Sequence, residues 1–264
     1  MKNLKITIVQ PDTAWQNIDE NLDRLETLIR RNSVSSDLII LPEMFSTGFT
    51  MSPSEAAEEM NGPSVKFLLR LSKELNTDIT GSIAIRENNV YYNRVVWAKP
   101  GGEIFTYNKR HLFRMAAEHK VYEGGTSLLT VELGGWRIRP FVCYDLRFPV
   151  WTRNSGAEYD LALFISNWPA SRSYHWDTLL RARAIENQCY VAGINRTGSD
   201  GNNLIYNGMS SVIDYCGNVM HRAGDSECVQ TVELSFSGLV SYRETFPAWK
   251  DSDSFKIYPV KNNA

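Results

Sequence analysis

Trp136-Arg137-Ile138-Arg139-Pro140-Phe141-Val142-Cys143-Tyr144-Asp145 is the stretch on which the reading of this chain turns. A strand pattern over 136–142 ends in a thiol, followed two residues later by a carboxylate. The same form occurs twice upstream: Leu38-Ile39-Ile40-Leu41-Pro42 runs into Glu43, and Ile104-Phe105-Thr106-Tyr107 runs through Asn108 into Lys109. The carboxyl ends of strands are where open α/β sheets form their ligand crevices. If these three strands are neighbours, a carboxylate, an ammonium and a thiol converge.

Outward from these segments, apolar alternation and short apolar runs predict further strands over 4–10, 78–85, 90–99, 127–133, 161–166, 189–195, 205–214 and 228–234. Helical spacing places Ile18, Leu22, Leu25 and Ile29 on one face of 17–31, acidic early and basic late, as the helix dipole favours. A second helix is predicted over 64–75 with Ser64 as its cap, and a third over 175–188. Asn88-Asn89 and Gly134-Gly135 are hairpin turns, so the sheets are mixed. About a dozen strands interleaved with four or five helices give an α/β protein. The expected form is a four-layer α-β-β-α sandwich of two mixed sheets with helices on both outer faces. No linker or repeat divides it: one domain is expected over 1–249, with a tail over 250–264 that packs on a partner subunit.

A net charge of −2 removes the strongly basic nucleic-acid binder and gives no polybasic handle for an anionic membrane. No segment is apolar for long enough to span a bilayer, and the first residues alternate like a strand, unlike a signal peptide. The expected compartment is the cytoplasm. Cys143, Cys189, Cys216 and Cys228 make no C-x-x-C pair, and His111, His119, His175 and His221 are scattered, so no metal is expected.

The trio at the strand ends has a chemical logic. A thiol needs a base to become a thiolate, which Glu43 can provide. Lys109 can stabilise the oxyanion of a tetrahedral intermediate and favour the thiolate. Glu43 can then hand its proton to departing ammonia and activate the water that cleaves a thioester. Each residue also has an ordinary reading: a core cysteine, a solvated glutamate, a surface lysine. On spacing alone the two readings stay evenly balanced.

Leu41-Pro42-Glu43-Met44, Tyr107-Asn108-Lys109-Arg110-His111-Leu112-Phe113 and Cys143-Tyr144-Asp145-Leu146-Arg147-Phe148-Pro149 resemble, in order and rough interval, the Glu, Lys and Cys signatures of the nitrilase superfamily of carbon–nitrogen hydrolases. The resemblance runs from Leu4 to about Trp249 and implies the sandwich fold and a homodimer; no cofactor is expected, because the proton and acyl transfers need none. It implies Glu43 as general base, Lys109 as oxyanion stabiliser, Cys143 as nucleophile and the backbone N–H of Tyr144 as a second oxyanion donor. A second glutamate that orients the lysine is also implied, with Glu118 favoured over Glu123. The segments 109–122, 166–169, 181–188 and 243–249 are similar to the ω-amidase branch, which implies a 2-oxoglutaramate or 2-oxosuccinamate substrate.

Such a substrate carries a carboxylate away from its amide and needs a cation there. Arg172, just past Asn167-Trp168-Pro169, is the candidate, with a loop-surface role as its alternative. Asn167 joins it as a substrate contact, while Trp168 and Phe45 are candidate walls. Arg147 is expected to make a structural ion pair behind the nucleophile. The same machinery would serve another small amide, an N-carbamoyl compound or a nitrile, and the remaining alternative is a binding protein on this scaffold.

Overall fold

Alternation in β1 (Leu4–Gln10) sends Leu4, Ile6 and Ile8 to one face and Val9 to the other, and both faces are buried. The computed structural model describes residues 2–32 and 35–258. After β1 come α1 (Ile18–Arg31), β2 (Leu38–Ile40), α2 (Pro53–Ala56), α3 (Pro63–Leu75), β3 (Asp78–Glu87), β4 (Val90–Ala98) and β5 (Ile104–Asn108). Then follow β6 (Val131–Leu133), β7 (Trp136–Val142), β8 (Leu161–Ile165), α4 (Ser173–Asn187) and β9 (Tyr190–Ile194). The chain continues through β10 (Thr197–Ser199), β11 (Ile205–Asn207), β12 (Ser211–Ile213), β13 (Val219–Arg222), β14 (Cys228–Leu234) and α5 (Phe236–Thr245).

One six-stranded sheet has the order β14-β1-β2-β3-β4-β5 and the other β13-β12-β9-β8-β7-β6. Both are mixed: β1-β2-β3 and β7-β8-β9 run parallel, and the outer pairs are antiparallel. Ile6, Ile8, Leu38, Ile40 and Trp97 of the first sheet share one buried cluster with Ile138, Phe141, Leu163 and Ile165 of the second. That cluster continues to Trp176 and Leu180 on α4, which covers the second sheet. On the far side of the first sheet, Val9, Ile39, Ile79 and Val96 pack against Leu25 and Ile29 of α1 and Leu68 and Leu71 of α3. This is the four-layer α-β-β-α sandwich. Truncating any one of these fully buried aliphatics to Ala would cost about 2–5 kcal/mol.

Local chemistry explains where the elements begin. Asn17 caps α1 by accepting from the Glu20 N–H at 3.3 Å. Ser64 does not cap α3. Gly62 takes that place with Pro63 in the first turn, and Ser64 turns its N–H and hydroxyl to the buried carboxylate of Glu58. The segment expected as one strand over 205–214 breaks into β11 and β12, because Gly208 and Met209 both take positive φ. The strand expected over 127–133 shrinks to β6. β10, β13 and α5 carry no clear period in the sequence, and only the structure reveals them.

Beyond the 3-10 turn Ala248–Asp251, residues 252–258 have no regular structure, and the expected tail ends at 259–264, outside the described residues. Among the described residues no helix is long and apolar enough to cross a membrane.

Candidate active site

The carboxyl ends of β2 and of the edge strand β5 in one sheet, and of β7 in the other, come to the same place. After β2, the N–H of Leu41 continues the pairing to the Thr80 carbonyl at 2.7 Å, and Met44 turns the chain with φ +43°. Glu43 is left facing inward, 1% exposed. After β5, the Lys109 N–H donates to the Asn93 carbonyl at 2.9 Å and its own carbonyl accepts from Gly125 at 2.9 Å. Only glycine fits there, because a Cβ at 125 would lie 2.2 Å from the Asn108 carbonyl oxygen. After β7, Cys143 takes φ +44° and opens a 3-10 helix over Cys143–Arg147. Such a φ is uncommon outside glycine and lifts the side chain off the strand end.

The side chains then converge. Lys109 Nζ donates to Glu43 Oε1 at 2.9 Å and to both oxygens of Glu118, at 3.0 and 2.9 Å. None of these three side chains reaches solvent. Asn93 Nδ2 bridges the two carboxylates, 2.7 Å from Glu43 and 3.3 Å from Glu118, and its Oδ1 accepts from Ser82 at 2.8 Å. From the second sheet, the N–H of Asn167 donates to Glu43 Oε2 at 2.8 Å. Cys143 Sγ lies 3.9 Å from the Asn167 carbonyl. The Tyr144 N–H belongs to the first turn of the 3-10 helix, where such groups lack intrahelical acceptors. Glu118, not Glu123, occupies the second carboxylate position: Glu123 is exposed, whereas Glu118 also accepts from the Phe113 N–H at 2.6 Å.

The electrostatics follow from one ammonium facing two carboxylates. Burial works against the Lys109 charge, but Glu118 and Glu43 outweigh it and raise its pKa above the ordinary lysine value. Burial raises Glu118, Lys109 pulls it down, and Glu43 pushes it up again; the net direction is upward. Although Cys143 as a residue is half-buried, burial of its thiol pushes the pKa well above the usual cysteine value. The charge of Glu43 adds to that rise, and Lys109 only partly offsets it. A thiolate added beside two carboxylates would leave a large buried negative charge. Passing the thiol proton to Glu43 keeps the total unchanged, so the cluster favours transfer over prior ionisation.

Above the thiol lies a cavity of about 90 Å³, walled by Phe49, Met51, Phe113, Trp168 and Tyr206. That is room for roughly half a dozen waters, hence for a small molecule. Arg147 and Arg172 also line it. Arg172 lies over the Phe113 ring at 5.3 Å and Arg147 over Trp168 at 5.1 Å. Neither makes an ion pair among the described residues. Asn195 fixes the Trp168 backbone, accepting its N–H at 2.8 Å and donating to its carbonyl at 2.9 Å.

Cys143, Tyr144, Asn167, Trp168 and Arg172 therefore line one cavity, and the buried Glu43–Lys109–Glu118 cluster joins it through Asn167, whose N–H donates to Glu43. Phe45 does not line it. The turn at Met44 sends it away from the cavity into the layer under α3, against Phe67 and so close to Gly81 that a Cβ there would lie 2.7 Å from its ring. The walls from that loop are Phe49 and Met51 instead. Arg147 is likewise not an ion pair behind the nucleophile; it faces the cavity and donates to His175 Nδ1 at 3.0 Å. Asn93 was missed, and its signal was a lone Asn inside β4. Among the described residues no group of three or more His, Cys, Asp or Glu side chains is placed to hold a metal ion.

The family model described as carbon-nitrogen hydrolase matches residues 5–244. The omega-amidase YafV of Escherichia coli K12 is 45% identical over 98% of this chain and 100% of its own length. The 2-oxoglutaramate amidase of Bacillus subtilis is 35% identical over 93% of this chain and 96% of its own. Among solved structures, XC1258 from Xanthomonas campestris, a CN-hydrolase superfamily protein with an arsenic adduct in its active site, superposes with a TM-score of 0.96. It is 44% identical and covers 98% of this chain and 100% of its own.

Proposed function

Since this chain belongs to the carbon-nitrogen hydrolase family and is an amidohydrolase, we propose that its substrate is a small 2-oxo acid with a terminal amide, 2-oxoglutaramate or 2-oxosuccinamate. The observation that carries this reading is the pair of guanidiniums, Arg147 and Arg172, in a small cavity whose floor is the thiol. Neither has an acidic partner among the described residues, so both are available to a carboxylate at the far end of the substrate.

In this reading the Cys143 sulfur attacks the amide carbon as Glu43 takes the thiol proton. Lys109 Nζ and the Tyr144 N–H receive the developing oxyanion; a donor of this kind is worth about 3 kcal/mol in the transition state. Glu43 returns the proton to the nitrogen, the C–N bond breaks, and ammonia leaves a thioester on Cys143. Water then gives a proton to Glu43 and attacks the thioester, and the 2-oxo diacid departs as the thiol is reprotonated. Glu118 holds Lys109 in position throughout. The Xanthomonas relative carries an arsenic adduct in its active site, and arsenic's affinity for thiols supports the reading of a reactive thiol here.

Ammonia release from 2-oxoglutaramate by the wild type, with Cys143→Ala in parallel, tests the reading. Turnover by the wild type alone is expected. Turnover retained in the variant would remove covalent catalysis by Cys143. Release from unrelated small amides but not from 2-oxoglutaramate would remove the substrate assignment.

A further inference from the structure

Asp145 has no part in the chemistry above, yet its carboxylate is fully buried two residues past the nucleophile and receives four hydrogen bonds. Oδ1 accepts from the backbone N–H of His111 at 3.0 Å and faces His111 Nδ1 at 2.8 Å. Oδ2 accepts from the Tyr107 hydroxyl at 2.7 Å and from the Val142 N–H at 3.1 Å. Tyr107 and His111 bracket Lys109, two residues to either side, while Val142 and Asp145 bracket Cys143. One carboxylate therefore ties the strand end that carries the ammonium to the strand end that carries the thiol.

The supporting contacts make the tie rigid. The His111 ring stacks on Phe148 with centroids 3.7 Å apart and planes 4° apart, and it meets Trp151 edge-on. The Tyr107 hydroxyl in turn accepts from Trp151 Nε1 at 3.0 Å and from the Arg110 N–H at 3.3 Å. Because a carboxylate oxygen is the acceptor, the proton of the His111–Asp145 bond sits on Nδ1. Val142 immediately precedes the positive-φ Cys143, so anchoring its N–H holds the one conformation that the nucleophile would otherwise leave readily.

We propose that His111 and Asp145 are positioning residues that fix the Lys109–Cys143 separation, acting through the strand ends without touching substrate. The proposal rests on the reading of Cys143 as nucleophile and Lys109 as oxyanion stabiliser. Two substitutions separate the bond from the packing. His111→Asn replaces the ring but keeps an amide N–H near the Nδ1 position. His111→Phe keeps the stack on Phe148 and removes the donor.

Two readouts apply: steady-state turnover, and the rate of Cys143 alkylation by iodoacetamide, followed at its own peptide by mass spectrometry. His111→Phe is expected to lose about 10²-fold in kcat, the scale of a 1 Å misplacement. KM should stay within about threefold, since the ground-state contacts remain. The alkylation rate should change with kcat, and His111→Asn should recover most of both. Equal losses in the two variants, or a His111→Phe enzyme with unaltered kcat, would overturn the proposal. If His111→Phe does not fold, His111→Gln, whose amide overreaches the Nδ1 position, takes its place with the same expected losses. A wild type that turns over no amide would defeat the catalytic reading alone, because the alkylation rates would still report whether the tie positions the thiol.

Discussion

The N–H of Asn167 donates to Glu43 Oε2 at 2.8 Å, and Asn167 Nδ2 donates to the Glu43 backbone carbonyl, also at 2.8 Å. Glu43 follows β2 of one sheet and Asn167 follows β8 of the other, so the base is clamped from across the sandwich. With Lys109 and Asn93 on Oε1, both carboxylate oxygens are committed, and leaving this rotamer would break three hydrogen bonds. The base is thereby held ready, with little reorganisation needed as the proton arrives.

Glu43→Gln should separate two effects of this carboxylate. Its charge raises the Cys143 thiol, so removing it should move the pH dependence of Cys143 alkylation toward lower pH and speed alkylation at pH 7. Turnover should nevertheless fall by about 10²–10⁴, because the amide cannot carry the proton. Iodoacetamide alkylation across pH 6–10 beside ammonia release checks both. A parallel fall in alkylation and turnover at every pH would mean that Glu43 activates the thiol chiefly by another route.

Lys109→Met leaves Glu43 and Glu118 facing one another in a dry site with no cation. Removing one partner from such a cluster should cost about 3–5 kcal/mol of stability. The deficit should depend on pH. Glu118 already holds its proton more tightly in the folded state than in the unfolded chain, and loss of the ammonium strengthens that preference. The folded variant then binds more protons than the unfolded one, so its stability is greatest below the ordinary carboxylate range and falls as pH rises through the raised value. Urea melts at pH 5 and pH 8 should show the smaller deficit relative to wild type at pH 5. In enzyme that remains folded, kcat should fall more than affinity, since the oxyanion contact forms in the transition state.

Much of this was legible in the sequence because it rests on local patterns. β1, β7 and β14 begin and end where apolar alternation places them, and Glu43, Lys109 and Cys143 each follow a segment with a strand's pattern, an apolar run before Glu43 and alternating residues before the other two. What escaped depends on the chain's direction after those ends. Phe45 and Phe49 are equally apolar, and the positive φ values at Met44 and Gly48 between them send Phe45 into the helix layer and Phe49 to the cavity. The expected ion pair of Arg147 behind the nucleophile does not form, although the carboxylate of Asp145 lies only two residues away in sequence. That carboxylate is filled by Tyr107, His111 and Val142, contacts made across 34 to 38 residues or through the adjoining backbone. α5 escaped because Leu239 alone among its residues is fully buried, which leaves no apolar stripe to detect.

The two arginines at the cavity give the most direct test of substrate class. Each sits over an aromatic ring, Arg147 over Trp168 and Arg172 over Phe113, and that contact holds the guanidinium in place before any ligand arrives. Replacing either with Met keeps much of the stem packing and removes the charge. If they receive a distal carboxylate, Arg147→Met and Arg172→Met should each weaken the transition state for 2-oxoglutaramate by about 1.5–3 kcal/mol, the worth of a hydrogen bond to a charged group. That corresponds to a loss of roughly 10- to 100-fold in kcat/KM, and it should appear mainly in KM, because the carboxylate is held equally in ground and transition states. A neutral primary amide of similar length serves as the internal control. Damage to the cavity wall would slow both substrates alike, whereas loss of a carboxylate partner would slow only the charged one. Equal losses on the two substrates would assign the arginines to wall packing and leave the carboxylate of the substrate without its proposed partners.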